Sequence, residues 1–129
     1  LNYFGHTKVK VLNGGWRKWL SEGRPITDKV TTVAPSTFVP KKDLSFLAGL
    51  NDLLESIGKD NRIIWDVRSL EEYMGKEDRG NKRPGHIKGA IHLEWSNTVN
   101  DDGTFKEASD LREILKTLGI TSAKTVITH

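Results

Sequence analysis

The stretch that decides the fold is Arg62-Ile63-Ile64-Trp65-Asp66-Val67-Arg68-Ser69, in the middle of the 129-residue chain. Its apolar run at 63–65 has no polar interruption, which is typical of a strand buried on both faces of a sheet. Ser69 and Glu72 have the spacing of a capping box, in which two side chains close the start of a helix. The stretch therefore predicts a buried strand, a charged loop and the beginning of a helix, in that order.

Apolar patterns on both sides extend this arrangement. Leucine and isoleucine recur with helical spacing between Leu111 and Leu118, a helix predicted to begin with Asp110 and Glu113 as its capping pair. The other predicted elements are a strand at 9–12, a helix around Trp16 and Trp19, an edge strand at 37–39, a helix from Asp43 to Ile57 ended by Gly58, and strands at 90–93 and 124–128. The helix from Asp43 is expected to bury the apolar face formed by Leu47, Leu50, Leu54 and Ile57. Alternating strands and helices predict an α/β fold with a mostly parallel sheet flanked by helices.

The chain divides into three parts. Residues 1–26 hold one strand and one short helix, too little to bury a core, so we interpret them as the C-terminal tail of a preceding domain. Residues 27–40 are rich in Thr and Pro and lack any period, which is typical of a linker on the surface. Residues 41–129 are expected to form most, but not all, of a second domain. The chain is thus predicted to be a partial tandem.

Composition excludes several classes of protein. The chain has no Cys and is 36% hydrophobic and 29% charged, with a net charge of +3, so we expect no disulfide and no thiolate metal site. His6, His86, His92 and His129 lack the spacing of metal ligands, so we expect no metal, and no sequence feature calls for a cofactor. Because the charges are mixed, the densest basic patch, 76–88, indicates a solvated or anion-facing loop. We expect no nucleic-acid partner and no membrane span, and the composition favours the cytoplasm over secretion.

Candidate site residues follow from the predicted sheet, since the carboxyl ends of parallel strands are where ligands bind. Asp66 and Arg68 come directly after the central strand, and Arg83 and His86 lie on the loop before the next. Arg68 either lends positive charge to an anion site or forms a bracing ion pair with Asp66. His86 is expected to be buried and hydrogen-bonded to the backbone.

Several motifs carry a family resemblance. They are Asp66-Val67-Arg68-Ser69-x-x-Glu72-Tyr73, Arg83-Pro84-Gly85-His86-Ile87-x-Gly89-Ala90-Ile91, Trp95, and Asp102-Gly103-Thr104-Phe105-Lys106. In order and spacing they resemble the second, catalytic domain of rhodaneses (thiosulfate sulfurtransferases). Tyr3-x-Gly5-His6, Val11-Leu12-Asn13-Gly14-Gly15-x-x-x-Trp19 and Glu22-Gly23-Arg24-Pro25 resemble the end of the first domain.

The resemblance implies a function. In rhodaneses a Cys takes a sulfane sulfur from a small anionic donor such as thiosulfate, holds it as a persulfide and passes it to a thiophilic acceptor such as cyanide. The resemblance places that Cys directly after His129, outside this chain, and implies packing against the rest of a first domain. Glu72 departs from members that have a donor-binding Arg at the matching position.

Two other functions stay open at this stage. A rhodanese-like module without catalysis could serve as a binding or regulatory domain, and the residue after His129 would distinguish it from the enzyme. An RNA-binding protein rests only on the pI of 9.2 and predicts salt-dependent binding.

Overall fold

A computed structural model describes residues 1–129 and shows one three-stranded parallel sheet. The strands are β1 (Arg62–Asp66), β2 (Ile91–His92) and β3 (Thr125–Thr128). β1 is central, in the order β2-β1-β3, and its buried apolar run is the one that the sequence predicts. β1 and β3 pair in parallel from Arg62 opposite Thr125 to Trp65 opposite Thr128. The predicted α/β class and the parallel neighbours are confirmed.

Four helices accompany the sheet. They are α1 (Gly15–Ser21), α2 (Leu50–Ser56), α3 (Leu70–Tyr73) and α4 (Ala108–Thr117). Three short 3-10 turns lie at Asn2–Phe4, Leu44–Phe46 and Trp95–Thr98. No helix combines the length and the apolar character that crossing a membrane would require.

The core gathers around β1. The fully buried apolar side chains are Ile63, Ile64, Ala90 and Ile120. The stripe on and just after α4, which runs from Leu111 to Leu118, is half-buried and therefore forms the inner face of the helix, as its spacing predicts.

The N-terminal segment contacts a distant turn of the domain. Lys18 Nζ lies 2.7 Å from Asp102 Oδ2, and Asn13 Oδ1 accepts a hydrogen bond of 2.9 Å from the backbone N–H of Phe105. Residues 27–40, which follow α1, are exposed throughout and form no regular element. That exposure is what a surface linker requires, while the domain boundaries themselves stay a prediction.

The predicted helix from Asp43 to Ile57 is wrong in its length and in its inner face. Gly49 interrupts it with an extended backbone, and Asp52 caps the shorter α2 by accepting from the Gly49 N–H at 2.7 Å. Leucines expected to be buried are exposed: Leu47, Leu50 and Leu54. The buried residue of α2 is Ser56, because the helix packs on β1 through that side.

Three smaller predictions are also wrong. Residues 9–12 and 37–39 form no strand, since no neighbouring strand lies beside them to complete a ladder. The last helix begins at Ala108 rather than at Asp110, with Glu107 at its N-cap and no capping side chain. Asp110 therefore lies inside the first turn, where its charge still favours the helix dipole.

Candidate active site

The candidate site lies at the edge of the sheet where β1 and β3 end. His129 continues the β3 ladder, because its N–H donates to the Trp65 carbonyl at 3.2 Å and its carbonyl accepts from Val67 at 3.1 Å. These two hydrogen bonds bring the His129 side chain beside Asp66. The parallel pairing thus places two titratable side chains from distant parts of the sequence next to each other.

Asp66 is fully buried, and Arg68 satisfies it. Asp66 Oδ1 accepts from the backbone N–H of Arg68 at 3.1 Å and from its Nε at 2.9 Å. Asp66 Oδ2 accepts from Nη2 of the same guanidinium at 2.5 Å. Burial alone would raise the pKa of Asp66, but these hydrogen bonds outweigh it and hold the pKa below its ordinary value. Asp66 is therefore a buried carboxylate, kept ionised chiefly by Arg68, and His129 lowers its pKa further.

Arg68 also connects the strand end to the loop at 83–89. Its Nη2 donates to the Gly85 carbonyl at 2.9 Å. Hydrogen bonding to Asp66 raises the pKa of Arg68, so the guanidinium stays charged. Arg68 forms the anticipated bracing ion pair with Asp66 and also lines the adjacent cavity, while its role toward an anion stays a prediction.

A cavity of about 830 Å³ opens at this edge. Its lining consists of Arg68, Asn81, Lys82, Arg83, Pro84, Gly85, His86, Ile87 and His129. Three of these side chains are permanent cations, two are imidazoles, and none is a carboxylate. Such a lining favours an anionic ligand. Three of the four predicted site residues line the cavity, and Asp66 lies behind it.

His86 differs from the prediction in its burial. The side chain is exposed, whereas we expected it to be buried, because it is covered on one face only: it stacks on Tyr73, with ring centroids 3.7 Å apart. The predicted backbone hydrogen bond is confirmed, since His86 Nδ1 lies 2.8 Å from the Tyr73 carbonyl. A carbonyl can only accept, so Nδ1 carries the hydrogen and Nε2 is left for the cavity side.

His129 is the residue that sequence reasoning did not single out as a site candidate. Its Nε2 lies 3.3 Å from Asp66 Oδ2, yet the geometry makes no hydrogen bond and the atom is buried without a partner. Burial lowers the pKa of His129, Asp66 opposes that shift, and Arg68 and His86 add to it, with a net lowering. The only available signal was its place directly after a parallel strand.

Glu72 does not line the cavity. Ser69 Oγ accepts from the Glu72 N–H at 3.3 Å, which confirms the Ser69 half of the predicted capping box. The other half differs, because Glu72 Oε2 accepts from the Ser69 hydroxyl at 3.1 Å rather than from the Ser69 backbone N–H. Glu72 also lies 3.9 Å from Arg79 Nε, an exposed cation. Its carboxylate is thus used in closing α3. No cluster of three or more His, Asp or Glu side chains is placed to hold a metal ion.

Curated relatives match nearly the whole chain. The "Sulfur carrier protein TtuD" of Thermus thermophilus is 41% identical over 98% of this chain and 48% of its own length. A Mycobacterium tuberculosis protein named "Putative thiosulfate sulfurtransferase" is 37% identical, again over 98% and 48%. The chain spans about half the length of the curated relatives it matches.

Solved structures share the fold. The wild-type structure of EanB superposes with a TM-score of 0.81 at 28% identity, covering 98% of this chain and 32% of that one. Another structure, described as EanB/Y353A in complex with ergothioneine covalently linked with a persulfide cysteine, gives a TM-score of 0.83 at 27% identity, covering 99% and 33%. A family model, described as "Rhodanese-like domain", matches residues 50–129, which include all three strands and the cavity. This chain belongs to the rhodanese-like domain family.

Proposed function

We propose that this chain forms the donor-binding part of a sulfurtransferase that moves a sulfane sulfur from thiosulfate, or a related anionic donor, to a thiophilic acceptor such as cyanide. The observation that carries this proposal is the cavity beside Arg68 and His129, lined by cations and imidazoles and by no carboxylate. Fixed positive groups around a small anion stabilise it without rearrangement. Membership of the family and the names of the relatives support sulfur transfer in general.

The transfer proceeds in two steps. A Cys thiolate attacks the sulfane sulfur of thiosulfate, a new S–S bond forms, and the donor's own S–S bond breaks as sulfite leaves with the electron pair. Cyanide then attacks the outer sulfur of the persulfide, thiocyanate leaves and the thiolate is regenerated. The chain has no Cys, and the proposal assigns the nucleophile to a Cys directly after His129. That position follows β3 at the edge where the cavity opens.

Arg68, Lys82 and Arg83 would hold the donor. Arg68 is fixed by Asp66 and Gly85, so it presents its charge without much loss of side-chain entropy. Lys82 and Arg83 are exposed at the cavity and form no ion pair within the chain, so their charges are available to an anion. We assign Asp66 to positioning Arg68, because it is buried behind the cavity and does not reach a ligand.

The domain arrangement is part of the same proposal. Residues 1–26 would be the tail of a first rhodanese-like domain and 27–40 the linker to the incomplete second domain, 41–129. The contacts of Lys18 and Asn13 with the turn at 100–105 support a tail that packs on the second domain. The full-length protein would place the rest of a first domain on this side.

The test compares two forms of the protein in a thiosulfate:cyanide assay. We expect no thiocyanate from the 129-residue chain, since no thiolate is present, and turnover from a chain extended by the next loop and helix with a Cys at its start. A Cys→Ser version of the extended chain is the matched control. Thiocyanate from the 129-residue chain, or none from the extended one, contradicts the proposal. In the second case a non-catalytic module is the remaining interpretation.

A second measurement tests the cavity cations. In the extended chain, Arg83→Ala should raise the KM for thiosulfate about tenfold, the effect of one lost charge-assisted contact of about 1.4 kcal/mol. Lys10→Ala changes an exposed cation of the N-terminal segment and should leave KM unchanged. Equal KM values for the two variants would remove Arg83 from the donor site.

A further inference from the structure

The two ring nitrogens of His129 have different surroundings. Nε2 is buried against Asp66 Oδ2, at 3.3 Å, and has no hydrogen-bond partner. Nδ1 is not among the buried unsatisfied atoms and makes no hydrogen bond within the protein, and the residue lines the anion-favouring cavity. The imidazole thus bridges a buried carboxylate and an open cavity.

Asp66 selects the tautomer of His129. The carboxylate is ionised, held so by Arg68, and its negative charge 3.3 Å from Nε2 favours a hydrogen over a lone pair on that nitrogen, although the two atoms do not meet the geometry of a hydrogen bond. Nε2 therefore carries the hydrogen, and Nδ1 carries the lone pair, as the hydrogen bond or charge at one nitrogen sets the state of the other. A neutral His129 in this tautomer presents a proton acceptor to the cavity.

The charges facing His129 come from three elements. Asp66, at the end of β1, favours the protonated ring, while Arg68 and His86, from the following loops, disfavour it. Burial is the largest influence, and the pKa of His129 lies below its ordinary value. The ring is therefore mostly neutral near pH 7 and available to accept a proton.

We propose that His129 accepts, at Nδ1, the proton of a thiol that enters the cavity as the sulfur acceptor. The inference rests on the proposed function. The S–H bond of the acceptor breaks and its proton goes to Nδ1, while the acceptor sulfur attacks the outer sulfur of the persulfide. A new S–S bond forms, the persulfide bond breaks, and its electron pair returns to the Cys sulfur, which takes up a proton from solvent or from His129.

We choose a thiol as the sulfur acceptor because a thiol must lose its proton before it can attack, and a base assists that step. An ordinary thiol has a pKa of about 8.5, so only a few per cent is thiolate near pH 7, and a positioned acceptor removes that limit. Sulfite already carries a lone pair on sulfur and needs no such help. The rate of sulfur transfer to a thiol should therefore depend on the lone pair of Nδ1, whereas the rate of transfer to sulfite should not.

The first test examines the tautomer in the 129-residue chain itself. Long-range ¹H–¹⁵N spectra of ¹⁵N-histidine-labelled protein at pH 7.5 to 8, where about 90% or more of an ordinary imidazole is neutral, report which nitrogen is protonated. We expect His129 to carry its hydrogen on Nε2, and we expect that preference to weaken in Asp66→Asn. A hydrogen on Nδ1 of His129 would overturn the inference whatever the activity of the protein.

The second test uses the extended chain with thiosulfate as donor and compares transfer to a small thiol with transfer to sulfite. The sulfite reaction regenerates thiosulfate, so it is followed as incorporation of radiolabelled sulfite into thiosulfate. His129→Gln keeps a side-chain N–H that can face Asp66 but has no acceptor at the Nδ1 position, and we expect transfer to a small thiol to fall about 100-fold more than transfer to sulfite. The matched control is His6→Gln, which alters an exposed histidine that does not line the cavity and should lower neither rate.

The outcomes separate the two proposals. Equal losses with the thiol and with sulfite in His129→Gln would reject His129 as a proton acceptor while leaving sulfur transfer intact. If His129 is the proton acceptor, the rate of the thiol reaction falls at low pH as His129 becomes protonated, and His129→Gln removes that fall. The same fall at low pH in His129→Gln would also reject His129 as the proton acceptor. No transfer to any acceptor by the unsubstituted extended chain would reject the proposed function instead.

Discussion

At the scale of single residues, the site depends on a buried carboxylate with one principal partner. Asp66 is completely buried, and Arg68 supplies all three of its hydrogen bonds. A buried ion pair of this geometry costs desolvation, so its value lies in holding the guanidinium in one place. That placement orients Arg68 between Asp66 and Gly85, beside the cavity.

Removing Arg68 is predicted to destabilise the fold. Arg68→Ala leaves a buried charge without a partner, and we expect a loss of about 3 kcal/mol in the free energy of unfolding, measured by urea denaturation. Arg79→Ala removes an exposed guanidinium paired with Glu77 and Glu72 and should change stability by less than about 0.5 kcal/mol. Similar losses in the two variants would show that Asp66 does not need Arg68.

His129 is predicted to make stability depend on pH. Its pKa is lowered in the folded state, so between the unfolded value of about 6.5 and the lower folded value the unfolded chain binds more protons. The free energy of unfolding therefore falls as the pH drops through that window, by at most about 1.4 kcal/mol per unit. His129→Gln should lose this part of the slope in urea denaturation from pH 7 to 5. An unchanged slope would show that the ring is not desolvated.

At the scale of elements, the geometry of the site depends on how closely the end of α3 approaches the loop at 83–89. α3 closes with Gly75 at a φ of +73°, and a Cβ there would lie 3.2 Å from the Gly85 nitrogen. A side chain at that position would push the end of α3 away from the 83–89 loop. Because Arg68 binds the Gly85 carbonyl, this close approach also sets where the guanidinium lies.

α4 supplies the prediction at this scale. Leu115 lies in its half-buried stripe, and we expect Leu115→Ala to cost about 2 kcal/mol of unfolding free energy through lost burial, at the lower end of the range for buried leucines. Leu54→Ala, on α2, removes the same atoms from a side chain that is 57% exposed and should cost much less. If the two losses are equal, α4 does not pack through this face.

At the scale of the whole molecule, the chain is held together across long sequence separations. Asn13 and Lys18 reach the turn at 100–105, and backbone hydrogen bonds join Tyr3 and Phe4 to the segment at 41–43. The exposed stretch at 27–40 lies between these two attachments in sequence. The N-terminal segment is therefore anchored at both ends while its connection stays on the surface.

At the scale of the whole molecule, the prediction concerns the contacts of Asn13 and Lys18 with the turn at 100–105. Asn13→Ala with Lys18→Ala removes both side-chain contacts to the turn, and we expect faster amide exchange in α1 and faster proteolysis within 27–40. The β1 and β3 amides should keep their protection, because the side chains of Asn13 and Lys18 form no hydrogen bond or ion pair with the sheet. Asn51→Ala with Lys59→Ala is the matched control. Unchanged exchange in α1 would mean that other contacts hold the segment.

The sequence predicts the parts of the fold that depend on local pattern. The β1 run and the α4 stripe are read correctly because their apolar residues follow the period of the element they form. The helix from Asp43 is misread because Gly49 adopts an extended backbone and Asp52 then caps a new start. The predicted strands at 9–12 and 37–39 are absent, because residues with high β propensity form a strand only where a neighbouring strand completes the hydrogen-bond ladder.

By itself, then, the sequence determines the α/β class, the family and the place of Asp66 and Arg68 directly after the central strand, because these depend on periodicity and on motifs within a few residues. Only the tertiary structure decides that His129 lies beside Asp66, that His86 is exposed and stacked on Tyr73, and that the cavity has no carboxylate in its lining. The physical reason is the parallel pairing of β1 with β3. It brings together residues some sixty positions apart, Asp66 and His129, and no local pattern records that register.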